Sequence, residues 1–108
     1  EAYLVDDTKK ILTNPKGQTF KDEFVVFDLE TTGFSPIHDA IIEIGAVKVS
    51  KGKISDHYSV FVNPQRPIPL RITELTSIDD SMVADAKSIE EILPEFLSFC
   101  EGCKKTGI

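Results

Sequence analysis

Asp28 and Glu30 stand two residues apart at the end of an apolar run, Phe24-Val25-Val26-Phe27, with Leu29 between them. A short run of β-branched and aromatic residues suits a central strand better than a helix. Side chains on a strand alternate faces, so the two carboxylates point the same way, about 7 Å apart. Ionised at that separation, they repel by roughly 2 kcal/mol at an effective dielectric of about 20. Something positive is therefore expected between them, and the all-oxygen donor pair favours magnesium or manganese over zinc. Thr31 and Thr32 offer hydroxyls and backbone N–H groups where the strand ends, and Gly33 lets the chain turn and lets another backbone or a phosphate approach. Ligand sites favour such strand ends. The spacing alone leaves a second reading open, in which the two acids close a strand as it reaches solvent and an ordinary turn follows.

The surrounding pattern supplies the elements that would hold this pair. Residues 34–39 read as a loop, residues 40–50 return as a strand, and Lys51-Gly52 makes the turn into the next one. On that next strand Ile54, Asp56, Tyr58, Val60 and Val62 share one face, and Ser55, His57, Ser59, Phe61 and Asn63 the other. The two make an antiparallel hairpin laid against the first strand. Pro67 and Pro69 keep the following stretch extended; residues 73–76 read as a short helical turn, and residues 77–80 as the start of another with side-chain caps. Ser88-Ile89-Glu90-Glu91 is a capping-box pattern, and Ile89, Ile92, Leu93, Phe96, Leu97 and Cys100 form one stripe at helical spacing, read as core. Pro94 predicts a bend or a late start in that helix. Ahead of the first strand, residues 3–5 and 10–13 are strand-like and separated by a polar turn, a pattern that predicts a small hairpin followed by a connector.

Three further groups invite chemistry. Glu43, between Ile42 and Ile44, is another metal-site carboxylate, or it sits at the strand's wet end, or it pairs with Arg71 or Lys48; its context favours a structural role. His57 reads as a partly exposed strand residue. Cys100 and Cys103 form a C-x-x-C, but one pair supplies only two ligands and no second pair sits nearby to complete a tetrahedron.

Composition bounds the rest. A chain of 108 residues with 41% hydrophobic residues is one domain at most. No apolar run approaches the length needed to span a bilayer, and no basic-then-apolar leader is present, so a cytoplasmic setting is expected. The net charge of −6 argues against a surface that holds nucleic acid by neutralising many phosphates. An enzyme that grips only a few terminal nucleotides escapes that objection, because metal ions supply the local positive charge.

Phe27-Asp28-Leu29-Glu30-Thr31-Thr32-Gly33-Phe34 resembles the first motif of the DEDD proofreading exonucleases, which share a ribonuclease H-like fold. Residues 41–49, Asn63-Pro64, residues 72–78 and Asp80-Ser81-Met82 are similar, in the same order, to the segments that follow it in that family. Residues 1–7 are similar to the lead-in of the exonuclease domain inside PolC-type DNA polymerases III. The resemblance implies an α/β, ribonuclease H-like fold with a three-stranded antiparallel start of a mixed sheet packed against helices. It also implies a lead-in hairpin and connector over residues 1–19 and a partial exonuclease domain over residues 20–108.

The implied activity is 3′–5′ proofreading in a bacterial replicative polymerase, releasing mononucleotides from a single-stranded DNA 3′ end with two Mg2+ or Mn2+ ions roughly 3.5 to 4 Å apart. Asp28 would bridge both ions, Glu30 would bind one, and Thr31, Thr32, Gly33 and Phe34 would seat the terminal nucleotide. The rest of the polymerase polypeptide would be its partner. The family's second motif, His-Asn-Ala-x-Phe-Asp, and its third, a His four residues before an Asp, do not occur; His38 and Glu43 superficially echo the third in the wrong place. Residues 103–108 resemble the end of a helix beyond the second motif. Ser77 stands where the family usually has Gly. The 108 residues by themselves are therefore expected to show no exonuclease activity. An exoribonuclease or oligonucleotide-trimming enzyme of the same family, and a catalytically incomplete folding or interaction module, are the alternatives.

Overall fold

The computed structural model describes residues 5–6, 23–35 and 37–107. Its centre is β2 (Glu23–Thr31), followed by the hairpin of β3 (Ile41–Ser50) and β4 (Lys53–Phe61). Both β2–β3 and β3–β4 are antiparallel. The two-residue turn between β3 and β4 has positive φ at both Lys51 (54°) and Gly52 (79°), the backbone that matches the twist of paired strands. After helices α1 (Leu70–Thr76), α2 (Asp80–Val83) and α3 (Ile89–Cys100), the chain crosses back to the other side of β2. There β5 (Lys104–Gly107) pairs parallel to β2, and β1 (Val5–Asp6) pairs antiparallel to β5. Among the described residues the sheet order is β1-β5-β2-β3-β4, so the expected antiparallel start of a mixed sheet is present.

Alternation on the strands decides where the core sits. Val25 and Phe27 on β2 share a face with Ile44 and Ala46 on β3, and Ile92, Phe96 and Cys100 of α3 lie over them. Burying each of the larger side chains fully contributes about 1.5–3 kcal/mol. Phe96 meets Phe27 edge-on at 5.7 Å between ring centres and tilts against Tyr58 at 5.8 Å. Leu93 and Leu97, expected in the same stripe, are 45% and 49% exposed, because α3 covers the sheet with a narrower row than the sequence offers. Pro94 lies inside α3 without delaying its start, and Ser88 and Glu91 close the capping box at its N-terminus. A second cluster of Ile42, Ile68, Ile72, Ile78 and Val83 ties the α1–α2 segment to the start of β3.

Three expectations need comment. The lead-in hairpin and connector fall outside the described residues, apart from Val5–Asp6. The helical turn expected at residues 73–76 is the end of the longer α1, whereas Asp79 does cap α2 by accepting from the Met82 N–H. Residues 104–107 are a strand, not the end of a helix. Parallel pairing with β2 from Phe24 to Phe27 selects the extended form for Lys-Lys-Thr-Gly, a sequence of weak intrinsic preference.

Candidate active site

Asp28 and Glu30 occupy the face of β2 opposite α3. Asp28 is exposed and Glu30 half-buried. The β2–β3 register sets Glu43 directly across from Glu30, and Gly45 across from Asp28. Directly opposed positions of an antiparallel pair hold their Cβ atoms about 4.5–5.5 Å apart, a spacing at which like charges destabilise. The consequence is visible at Glu30, whose carboxyl is pushed above its ordinary pKa by burial first, then by the charge of Asp28, then by that of Glu43. Of the structural alternatives, an ion pair of Glu43 with Arg71 or Lys48 is not present among the described residues, and Lys48 Nζ lies 4.7 Å from the centre of the Phe99 ring. Glu43 belongs to the acidic site because register, set by the length of the β2–β3 loop, carries it there.

This donor set suits a hard divalent cation. Three carboxylate-bearing side chains share a face, and among the described residues none has a cation within ion-pair distance. A Cβ built on Gly45 would meet nothing within 4 Å, so there is open space beside Asp28. Among the described residues no three ligating side chains yet converge on one point. The fit therefore rests on Asp28 and Glu30, with Glu43 as a neighbouring negative charge.

The end of β2 is bent by a register shift between Glu30 and Thr31, where Thr31 pairs with Ile41 and Ile42 drops out into the second core cluster. Such bulges re-aim a strand end. Thr31, Gly33 and the 88%-exposed Phe34 then line a cavity of about 510 Å³ with Leu29 and Ile41. Thr32 is not part of that surface. It is 1% exposed; its hydroxyl donates to Asp39 Oδ1 and accepts from the Ala40 N–H, both at 2.9 Å, and its own N–H donates to the Ala40 carbonyl at 2.8 Å. Hydroxyl and N–H of Thr32 are thus both committed inside the loop.

Gly33 has a related explanation. A Cβ there would lie 2.6 Å from the Asp39 carboxylate, so the close approach that requires glycine is made by Asp39. Sequence reasoning overlooked Asp39, although an Asp four residues after Ser35 in a short loop is a natural acceptor for its free N–H groups. Cys100 and Cys103 are buried thiols whose pKa values burial pushes up, and Cys103 Sγ donates to a Glu23 carboxylate oxygen at 3.7 Å. They are packing residues of the α3–β5 corner.

The site thus combines a mixed sheet, a helix on one face, and acids at the end of the central strand on the other. The model of the exonuclease family described as RNase_T matches residues 25–106, and the chain belongs to that family. It is 57% identical over 102 residues to the PolC-type DNA polymerase III of Caldanaerobacter subterraneus subsp. tengcongensis, a match that covers 94% of this chain and 7% of that protein. The chain thus spans about 7% of the length of this relative. Among solved structures it is similar to exonuclease X in complex with 5′ overhanging duplex DNA, at 36% identity and a TM-score of 0.61 over 68% of this chain and 42% of that one. The nuclease domain of 3′hExo, a DEDDh family member bound to rAMP, shares the fold at 21% identity and a TM-score of 0.66, over 77% of this chain and 46% of that one.

Proposed function

We propose that the chain contributes the first-motif half of the catalytic site of a metal-dependent 3′–5′ proofreading exonuclease within a bacterial replicative DNA polymerase, acting on the single-stranded 3′ end of DNA in the cytoplasm. The observation that carries this reading is the uncompensated carboxylate face of Asp28, Glu30 and Glu43, with Glu30 pushed toward protonation by burial first and then by its two acidic neighbours. Its likeness to PolC-type polymerases III supports the setting. Asp28 and Glu30 would hold the divalent ions, Mg2+ or Mn2+. When bound, such ions prepare a water for in-line attack on the terminal phosphodiester and stabilise the leaving oxygen.

The chain's own residues do the rest of the binding. Asp28 and Glu30 present negative charge where the cations must sit. Exposed Phe34 offers a flat apolar surface against which a terminal base or sugar can pack, a contact worth about 1–3 kcal/mol for stacked bases. Thr31 and Gly33 line the mouth of the cavity beside that surface.

Because no three ligating groups converge among the described residues, the 108 residues alone should not cleave DNA. The test uses a polypeptide that extends this segment toward the length of its PolC-type relatives, with a 5′-labelled single-stranded primer and Mg2+ or Mn2+. It should release mononucleotides from the 3′ end, and Asp28→Ala should abolish release, since removing one member of a catalytic unit can cost about as much as removing several. An inactive extended protein, or one unaffected by Asp28→Ala, would overturn the assignment. A parallel RNA substrate separates DNA proofreading from exoribonuclease activity.

A further inference from the structure

We infer that Asp39 is the positioning residue of this site: its carboxylate clamps residues 31–35 so that the strand end bearing Glu30 and the exposed Phe34 are held ready for a nucleotide. This role rests on the exonuclease reading above.

The clamp is a closed set of bonds. Asp39 Oδ1 accepts from the Thr32 hydroxyl and Oδ2 from the Ser35 N–H, both at 2.9 Å. The Asp39 N–H donates back to the Ser35 carbonyl at 3.0 Å, and Thr32 is bonded twice to Ala40. The carboxylate also lies against Gly33 where a Cβ would be, so the loop is held sterically as well as by hydrogen bonds. From the next segment, the Arg66 guanidinium donates to the His38 carbonyl and anchors the loop's far side. Phe34 sits at the apex between the two residues Asp39 grips, Thr32 and Ser35, yet remains exposed. A free loop would have to lose that freedom on binding a nucleotide; a clamped one has lost it already.

Asp39→Asn tests this with little change of shape, because a single amide oxygen cannot accept from both the Thr32 hydroxyl and the Ser35 N–H as the two carboxylate oxygens do. Thymidine 5′-monophosphate is titrated into the full chain with saturating Mg2+, which is diamagnetic, and followed by amide NMR, with Mn2+ affinity and melting temperature measured alongside. Asp39→Asn should weaken nucleotide binding about tenfold, the scale of one charge-assisted hydrogen bond. Mn2+ affinity should stay unchanged, and the amide shifts of residues 32–35 should move, because one of the two accepted bonds is lost. Thr32→Val, which removes the hydroxyl but keeps Asp39, should weaken nucleotide binding in the same way, and Thr32→Ser should restore it.

Nucleotide affinity that is unchanged in Asp39→Asn, or in Thr32→Val if Asp39→Asn does not fold, overturns the inference and leaves the exonuclease reading standing. So does a parallel loss of Mn2+ affinity, which would mark a general structural role. A wild-type chain that binds Mn2+ but no nucleotide overturns this inference and counts against the exonuclease reading with it.

Discussion

The two faces of β2 are made from alternate residues of one nine-residue strand, and they are built to opposite rules. On the α3 face Val25 and Phe27 pack with Ile44, Ala46, Ile92, Phe96 and Cys100, and the one charged residue across from them, Lys48, rests its ammonium over the Phe99 ring. On the other face burial first, then the charges of Asp28 and Glu43, hold the Glu30 carboxyl above its ordinary pKa, with no compensating cation among the described residues. A sheet that only had to fold would not place Glu43 across from Glu30. The dry face supplies the stability that lets the acidic face keep its strain, and that strain is what a divalent cation would relieve.

The largest expected effect breaks the dry face. Phe96→Ala removes a ring that touches both Phe27 and Tyr58 and should cost about 3–5 kcal/mol in urea unfolding. For a small domain that is most of its stability. A loss below 1 kcal/mol would mean that α3 does not hold the sheet as described.

Adjacent residues on β3 sharpen the contrast. Ala46 is 7% exposed in the dry core, whereas Gly45 faces open space opposite Asp28. Ala46→Gly should cost about 1.5 kcal/mol, from one lost methyl and the added backbone freedom. Gly45→Ala should instead stabilise by about 0.5 kcal/mol, since the added Cβ meets nothing and glycine weakens a strand interior. Equal effects of one sign in denaturant titrations would erase the distinction between the faces.

The smallest effect is electrostatic and depends on pH. Glu30 has its folded pKa raised, so the native state holds its proton more tightly than the unfolded chain does. The stability this confers is whole below the unfolded value of about 4.3 and is lost as pH rises through the raised folded value. Asp39 has the opposite sign: the Ser35 N–H first, then the Thr32 hydroxyl, hold its carboxyl below the usual range. Its contribution is present above about 3.9 and is lost as pH falls through the lowered folded value. Glu30→Gln should therefore gain on the wild type as pH rises above about 4.3, by roughly 0.5 kcal/mol at most. Asp39→Asn should lose ground on the wild type lower down, as pH rises through the lowered folded value toward about 3.9, and should lose no more above it. Urea midpoints against pH give both curves, and parallel curves for the two variants would contradict the assignment.

Much of this was legible in the sequence because it is periodic. Alternation gave β2 and the β3–β4 hairpin, and the capping box with a helical stripe gave α3. What was not legible depends on partners far along the chain. The β5 strand is Lys-Lys-Thr-Gly and is extended only because β2 offers it a parallel edge. Glu43 reaches the site through register, which no local pattern encodes. Thr32 and Thr31 look alike in sequence, yet the bulge after Glu30 and the Asp39 clamp turn Thr32 inward. Ser77, where the resembled family usually has Gly, caps α1 with φ 66°, a left-handed backbone that glycine adopts without cost.

The measurement that bears most directly on the acidic face is paramagnetic broadening of backbone amides by Mn2+ in the wild-type chain and in Asp28→Asn. Manganese held by Asp28 and Glu30 should broaden the amides of residues 27–31 and 43–45 first, and Asp28→Asn should remove that pattern while leaving the rest of the spectrum unchanged. Broadening spread over the other surface acids, or the same broadening in Asp28→Asn, would contradict the claim that this strand end is a cation site.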